Sequence, residues 1–534
     1  MNPNPTGLDG LPAAPPLEEP DTEWHRLNPR VMVADPLNEI ASVLGVVVLL
    51  LVVRGRFELE FWESLAALGI SGSLIGYAMV RWLTTRYRIT DKHVELHSGW
   101  LVRKHRQVAR DRLRTVDLTA SVPHRLVGLS VVRLGTGRQD AGTEDELTLN
   151  AVTKVEAERL RLTLLRRTAT TRTPEREQPE PSEQDSTPAE TGPGTVLSTM
   201  DPKWLRFAPL TLFGVIAVGT LFGGAMALAR QIKVDLFHLG PVQAVLDWFT
   251  SMPLLTTVPL VAAGALVLSS VAAVAAYVIF YWNYQLSREE HGSLLVRYGL
   301  LEVRSVSIEQ QRMRGVKVDE PLLLRLGKGA KCSAVATGLG TGEGSGMLLP
   351  QAPRAEAHRV AAAALQLDES PTTAALTRHP RAAFARRVFR AAAPVLVLAA
   401  ALGALRIYLS FPDWPWIVAL CLLPLSVPLG IDRYRNLGHA YTQDYLVSRS
   451  GSLMRQTIAL HQHGIIGWKI TRSIFQRRVG LVTLHATTGA SSGRGETERG
   501  AYAVADIGES DAVHLAETAL PGLLTPFLER VPTP

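Results

Sequence analysis

Six apolar runs, taken two at a time, constrain this chain more than any other feature of its sequence. They span residues 37–53, 64–83, 207–229, 258–282, 388–409 and 414–431. A helix needs about 20 mostly apolar residues to cross the hydrocarbon core of a bilayer, and each run approaches or exceeds that length. Arg390 and Arg406 flank the fifth run, where long basic side chains reach the two interfaces. Only residues 54–61 separate the first two runs and 410–413 the last two, so these pairs read as hairpins that return to their starting side. The middle pair has a longer link, 231–257. It contains Leu236, Phe237, Leu246, Trp248 and Phe249 and reads as a partly amphipathic segment at the outer surface or a folded loop.

Basic residues set the orientation, because they accumulate on the cytoplasmic side of membrane helices. The side leading into the segments after each pair carries Arg30, Arg81, Arg86, Arg88, Lys203, Arg206, Arg288, Arg386, Arg387, Arg390, Arg433 and Arg435. The hairpin side carries Arg54, Arg56, Arg230, Lys233 and Arg406. The expected location is the inner (plasma) membrane, multi-pass, with both termini cytoplasmic. The formal net charge of +7 beside these runs points to anionic headgroups. No nucleic-acid motif accompanies it, so nucleic acid is not an expected partner. Cys332 and Cys421 are too far apart in sequence to outline a disulfide framework or a cysteine zinc site. The first run comes after a Pro-rich acidic tail, unlike a cleaved leader.

The segment behind each pair repeats. A tyrosine (Tyr87, Tyr284, Tyr441) precedes a glycine (Gly99, Gly299, Gly451) in the texts HSGWLVR, VRYGLLEVR and SRSGSLMR. Each reads as a strand turning at glycine into a second strand. Nine residues past the glycine stands an aliphatic residue, Val108, Ile308 or Leu460. Twenty-six past it stands an arginine, Arg125, Arg325 or Arg477, trailed by Gly128, Gly327 or Gly480. The shared offset marks a tandem repeat of one unit. Every copy continues with an apolar strand, a Gly-rich stretch, another short apolar segment and a helical one. Leu160 with Leu164, and Ala361 with Leu365, place one buried face on those helices.

The Y…G…R-x-x-G-L pattern behind a membrane hairpin resembles the bacterial PH domain of the DUF304, or bPH2, class. Three hairpin-plus-module units look like the YdbT-type membrane proteins. HRLVGL in the first module and RRVGL in the third match well, while RLGKG in the second lacks the leucine after glycine. The resemblance implies an α+β membrane protein. Six transmembrane helices form three hairpins, each followed by a cytoplasmic PH-like β-barrel closed by a C-terminal helix.

The expected organisation is a disordered tail (1–36), hairpin 1 (37–83), module 1 (84–167) and a disordered linker (168–203). Hairpin 2 (204–282), module 2 (283–367), a linker (368–386), hairpin 3 (387–432) and module 3 (433–525) complete it. The first linker is rich in Thr, Pro, Glu and Ser and has almost no large apolar residue.

Candidate sites are few. Arg103, Lys104, Arg106, Arg110, Arg112 and Arg114 make module 1 basic beside the bilayer, where they are expected to contact lipid headgroups or form a solvated surface. Module 2 offers Arg304, Arg312, Arg314 and Lys317, and module 3 offers Arg455, Lys469, Arg472, Arg477 and Arg478. The repeated Arg125, Arg325 and Arg477 are expected to fix a loop by bonding backbone carbonyls. Residues 337–346, TGLGTGEGSG, lack the GK[ST] ending of a nucleotide loop and read as a strand-to-strand connection. His461 and His463 share a strand face without an evident third metal ligand. No nucleophile–base pair, metal set or cofactor motif stands out. The expectation is a non-enzymatic protein whose modules bind lipid, a protein partner or further copies of the chain, in envelope maintenance or resistance to membrane-active peptides. The alternative is a transporter or export component with the helices as its pathway.

Overall fold

The computed structural model describes residues 24–26, 28–31, scattered positions within 69–80, 82–90, 93–99, 104–109, 115–135, 146–158, 194–231, 240–289, 292–337, 339, 346–409, 412, 414–489, 500–524 and 526. Module 1 contains β1 (His25–Arg26), β2 (Arg86–Ile89), β3 (His93–Ser98), β4 (Lys104–Ala109), β5 (Thr115–Ala120), α1 (Val122–Leu126), β6 (Leu129–Gly135) and β7 (Glu146–Thr153). Between it and module 2 come β8 (Thr195–Thr199), α2 (Phe213–Gln231), α3 (Gly240–Thr250) and α4 (Leu254–Tyr281). Module 2 runs through β9 (Gln285–Arg288), β10 (Ser293–Tyr298), β11 (Val303–Glu309), β12 (Met313–Pro321), α5 (Leu322–Leu326), β13 (Gly329–Ala336), β14 (Met347–Pro353) and α6 (Arg354–Leu365). Next come α7 (Arg381–Leu409), α8 (Trp414–Cys421) and α9 (Leu423–Arg435). Module 3 holds β15 (Gly438–Thr442), β16 (Tyr445–Ser450), β17 (Met454–His461), β18 (Gly467–Thr471), α10 (Ile474–Arg477), β19 (Leu481–Thr487), β20 (Ala501–Gly508) and α11 (Glu509–Ala519).

Each module therefore builds two three-stranded meanders, a leading one and a trailing one. Among the described residues the strands form four sheets ordered β1-β2-β3-β4, β7-β6-β5-β11-β10-β9-β8, β14-β13-β12-β17-β16-β15 and β18-β19-β20. The two large sheets cross module boundaries: the trailing meander of one module joins the leading meander of the next. Inside module 2 its two meanders face each other. Leu294, Val296, Val306 and Ile308 meet Val316, Val318, Cys332 and Leu349, and α6 closes the core with Ala357, Val360, Ala361 and Ala364. Alternation along the strands supplies that inward face, as in β12, where Val316 and Val318 are fully buried.

Among the described residues, three helical spans are long and apolar enough to cross a membrane: Leu254–Tyr281, Arg381–Tyr408 and Trp414–Arg435, the last being α8 and α9 in succession. Helix α2 reaches that test only together with the 3₁₀ helix Pro202–Leu210, from which it is bent by 64°. Helix α2 packs on α4 through Gly214, where any Cβ meets the Ser269 carbonyl. Helix α9 packs on α7 through Gly430, where a Cβ would lie 2.9 Å from Val388 Cα. The run 37–53 lies outside the described residues, as does much of 64–83.

Four expectations change. Residues 207–210 belong not to a membrane helix but to Pro202–Leu210, whose Trp204, Phe207 and Ala208 are buried in the module 2 core. Their hydropathy reflects that core. Thr195–Thr199, expected in a disordered linker, forms β8 and pairs with β9, and Asp201 caps the next turn by accepting the Lys203 N–H. The tail is ordered in part: β1 pairs with β2 and Val31 is buried. The fourth change is a boundary: the helix expected from 387 already begins at Arg381, and in the shortened linker Ser370, Pro371 and Thr372 are buried and Thr377 bridges to His439.

Candidate functional site: the seams between modules

The repeat glycines are turn residues whose backbone excludes a side chain. Gly99, Gly299 and Gly451 have φ of 108°, 113° and 99°, a region that L side chains rarely enter. At Gly299 a Cβ would strike the Glu302 carbonyl, and at Gly451 the Met454 carbonyl. The glycines after the arginine are αL residues: Gly128 and Gly480 have φ of 73° and 66°. In module 2 the equivalent is not Gly327, which has φ −77°, but Lys328, at φ 61°. The hydrogen bonds settle the alignment, since Gly128, Lys328 and Gly480 accept from the N–H of Lys154, Arg354 and Glu509. Gly327 is small for another reason: a Cβ there would overlap Leu210.

The two seams use one register. Val306, seven residues past its turn glycine, lies opposite Asp117, eighteen past the preceding module's turn glycine. Ile458 lies opposite Lys317 at the same two offsets. The next incoming residue is small and fully buried in both seams, Ser307 and Ala459. The aliphatic position nine past the glycine is buried where a seam covers it, at Ile308 and Leu460, and only half-buried in Val108, where none does among the described residues.

The repeated arginines act across these seams. Arg125 donates to the Leu300 carbonyl of module 2 at 2.7 Å. Arg325 donates to Asp432 at 2.9 Å, and Asp432 also accepts from Ser452, beside the Gly451 turn, at 2.8 Å. The expected carbonyl bond thus holds for Arg125, but it reaches the next module, and Arg325 takes a carboxylate instead. The Arg477 side chain is exposed and has no hydrogen-bond partner among the described residues, while its backbone N–H donates to the Ser473 carbonyl.

Charge reinforces the second seam. Glu320, 1 % exposed, receives both donors of the Arg455 fork at 2.8 and 2.7 Å, with Arg354 3.1 Å away. Burial alone would raise its carboxyl, but Arg455 and then Arg354 hold it below the usual value. Module 3 is tied to α7, the helix that precedes it, by Asp506, fully buried at φ 60°. Asp506 pairs with Arg386 and, at 2.6 Å, with Arg387, and accepts from Gln476 at 2.8 Å. His379 sits between the Asp506 carbonyl at 3.0 Å and His439 at 3.2 Å. Burial first, then His439 and Arg387, pushes it down to about 4.

Of the proposed headgroup contacts, Arg103, Arg110, Arg112 and Arg114 lie outside the described residues. Lys104 and Arg106 are on β4. His461 ends β17 while His463 lies in the adjoining 3₁₀ turn, their Nδ1 atoms 3.3 Å apart and their rings stacked. The Gly-rich segment connects β13 to β14, as expected of a strand-to-strand loop. One cluster, in module 1, was not apparent from the sequence. Glu95, His97 and His105 bring their ligand atoms within 4.8 Å of one another. Arg88 already holds Glu95 at 3.0 Å, and Trp24 lies against His97. The signal was an H-x-E spacing in reverse, Glu95-x-His97, on a strand whose neighbour brings His105 directly opposite His97.

The bacterial PH domain family matches residues 38–168, 234–367 and 393–520, and the chain belongs to that family, with three tandem copies. It is similar to the UPF0699 transmembrane protein YdbT of Bacillus subtilis (strain 168), 23 % identical over 510 residues, covering 92 % of this chain and 97 % of that protein. No solved structure matches the chain.

Proposed function

We propose that the chain is a non-enzymatic multi-pass membrane protein. Its three modules form one cytoplasmic body that rests on the bilayer and binds anionic headgroups and protein partners. The reading takes six helices in three hairpins, both termini cytoplasmic, in the inner membrane. Its role is maintenance of the envelope or resistance to membrane-active peptides.

An apolar rim at the turn end of the modules carries this reading. Leu301 is 51 % exposed, Leu326 73 % and Phe475 67 %, with Leu126, Leu323, Leu453 and Ile474 also exposed. They occupy turns and short helices repeated from module to module. The rim lies where membrane helices enter, since Leu300 N–H donates to Ile279 O near the end of α4 at 2.9 Å. In water such a surface is unfavourable; in the headgroup zone each such side chain contributes roughly 1.5–3 kcal/mol. Basic residues beside it, such as Arg125 and Arg478, suit an anionic leaflet.

The test uses single cysteines in a Cys332→Ala, Cys421→Ser background, carrying an environment-sensitive dye at position 301, 326 or 475. In vesicles containing phosphatidylglycerol, dyes at these positions should shift to the blue, whereas a dye at exposed His514 should not. Rim dyes as water-exposed as the His514 control would refute the reading. A cysteine at Asp247 should react only from the outside, and reaction only from the inside would refute the topology.

A further inference from the structure

The chain joins its modules twice in one way and, among the described residues, leaves the receiving half of a third junction open. In modules 1 and 2 that half consists of the strand β5 or β12 and the arginine Arg125 or Arg325. In module 3 the same parts are β18 and Arg477. Strand β18 ends its sheet among the described residues, paired only with β19. Ile470 is 40 % exposed, whereas Val318, at the same offset in β12, is fully buried in the module 2 core, which Ala459 of the adjoining β17 also enters. Arg477 has no partner among the described residues to compare with Leu300 or Asp432.

An edge of this kind is a template for another strand. The chain's own leading strand β4, which ends its sheet among the described residues, fits it poorly. In the shared register Arg106 would oppose Lys469, where the two used strands present Val306 and Ile458. Gln107 would replace the buried Ser307 and Ala459. Like charges directly opposite one another on neighbouring strands are destabilising, and a charged outer strand is how a terminal repeat ends an array. Among the described residues, module 1 therefore presents a charged outer strand and module 3 an uncovered receiving edge.

The geometry points to β18 and Arg477 as a docking edge for the third strand of a PH-like module carried by a different polypeptide. That strand is neutral or acidic seven residues past its turn glycine, so that it complements Lys469, and small at the next position. This edge gives the scaffold a partner class and rests on the function proposed above only for the ordered modules.

The test supplies such a strand in a full-length donor chain, Arg106→Val, Gln107→Ser, Ile470→Lys. The first two changes copy Val306 and Ser307, and the third closes the donor's own edge. Light scattering in detergent should give one chain per particle for the wild type alone and a 1:1 complex for donor plus wild type. Ile470→Lys in the receiving chain should abolish the complex, and Arg477→Ala should weaken it by about tenfold, the scale of one charge-assisted hydrogen bond. Melting curves establish that each variant is folded; a donor that melts without cooperativity is replaced by Arg106→Val, Ile470→Lys. Two folded chains that stay apart would overturn the proposal. So would a wild type that associates with itself and loses this on Ile470→Lys, since that makes a second copy the occupant. Neither result moves the dyes on the apolar rim, so the lipid reading stands or falls separately.

Discussion

The two seams share a backbone geometry and differ in chemistry. Where the second sets Glu320 opposite Arg455, the first sets Ala120 opposite Val303 at the same offsets. One junction is closed by a buried ion pair and the other by small apolar contact, yet the register is unchanged. Turn glycines and backbone pairing thus fix how modules join, while the side chains across the seam are replaceable. A buried ion pair repays its desolvation only when geometry is good, and removing one partner costs more than removing both.

That comparison can be broken at the pair itself. Arg455→Ala leaves Glu320 buried opposite no fork and should cost about 3–5 kcal/mol in denaturant unfolding. Glu320→Ala combined with Arg455→Val imitates the first seam and should recover most of the loss. A double variant as unstable as Arg455→Ala would mean that the second seam needs its charge. Next in size are the turns. Gly451→Ala forces a side chain into a φ of 99° and against Met454, and should cost roughly 1–3 kcal/mol. Lys328→Gly relieves an αL lysine and should stabilise by up to about 1 kcal/mol; a destabilised Lys328→Gly would contradict its assignment to the glycine position. Smallest is Arg125→Ala, which removes one exposed charged hydrogen bond to Leu300 and should cost about 1 kcal/mol, read by faster amide exchange in β5 and β11.

Acid should weaken module 3 and its neighbour through two histidines. His358 and His379 are each held down to about 4, first by burial and then chiefly by Arg354 for His358 and His439 for His379. The unfolded chain binds their protons near pH 6.5 and the folded one only near 4. Their contribution is therefore complete above about pH 6.5 and declines as pH falls toward 4. The melting temperature should drop across that window, and His379→Asn should flatten the drop. The Glu320 contribution disappears later, as pH falls below the ordinary carboxylate range, because its folded carboxyl titrates lower still.

Much of this was legible in the residues. Gly99, Gly299 and Gly451 announce turns because only glycine suits that backbone, and the constant distance to Arg125, Arg325 and Arg477 announces copies. The partners of those arginines were not legible, because nothing local marks a bond that crosses to the next module. Gly327 misled for a physical reason: the αL position tolerates Lys328, so a glycine required by Leu210 looked like the turn glycine. Strand β8 was hidden by composition, its Thr195–Thr199 alternation sitting at the end of a polar, Pro-rich stretch. The basic stretch of module 1 was legible as charge, but only Lys104 and Arg106 fall on described residues, on β4.

Cross-linking across the second seam tests the shared register most directly. In a Cys332→Ala, Cys421→Ser chain, cysteines at Lys317 and Ile458, directly opposed in β12 and β17, should form an intramolecular disulfide under mild oxidation, detected by peptide mass spectrometry. Cysteines at Lys317 and Ala459 point to opposite faces and should not. A bond at 317–459 as fast as at 317–458, or none at either, would contradict the account of modules joined strand to strand in one register.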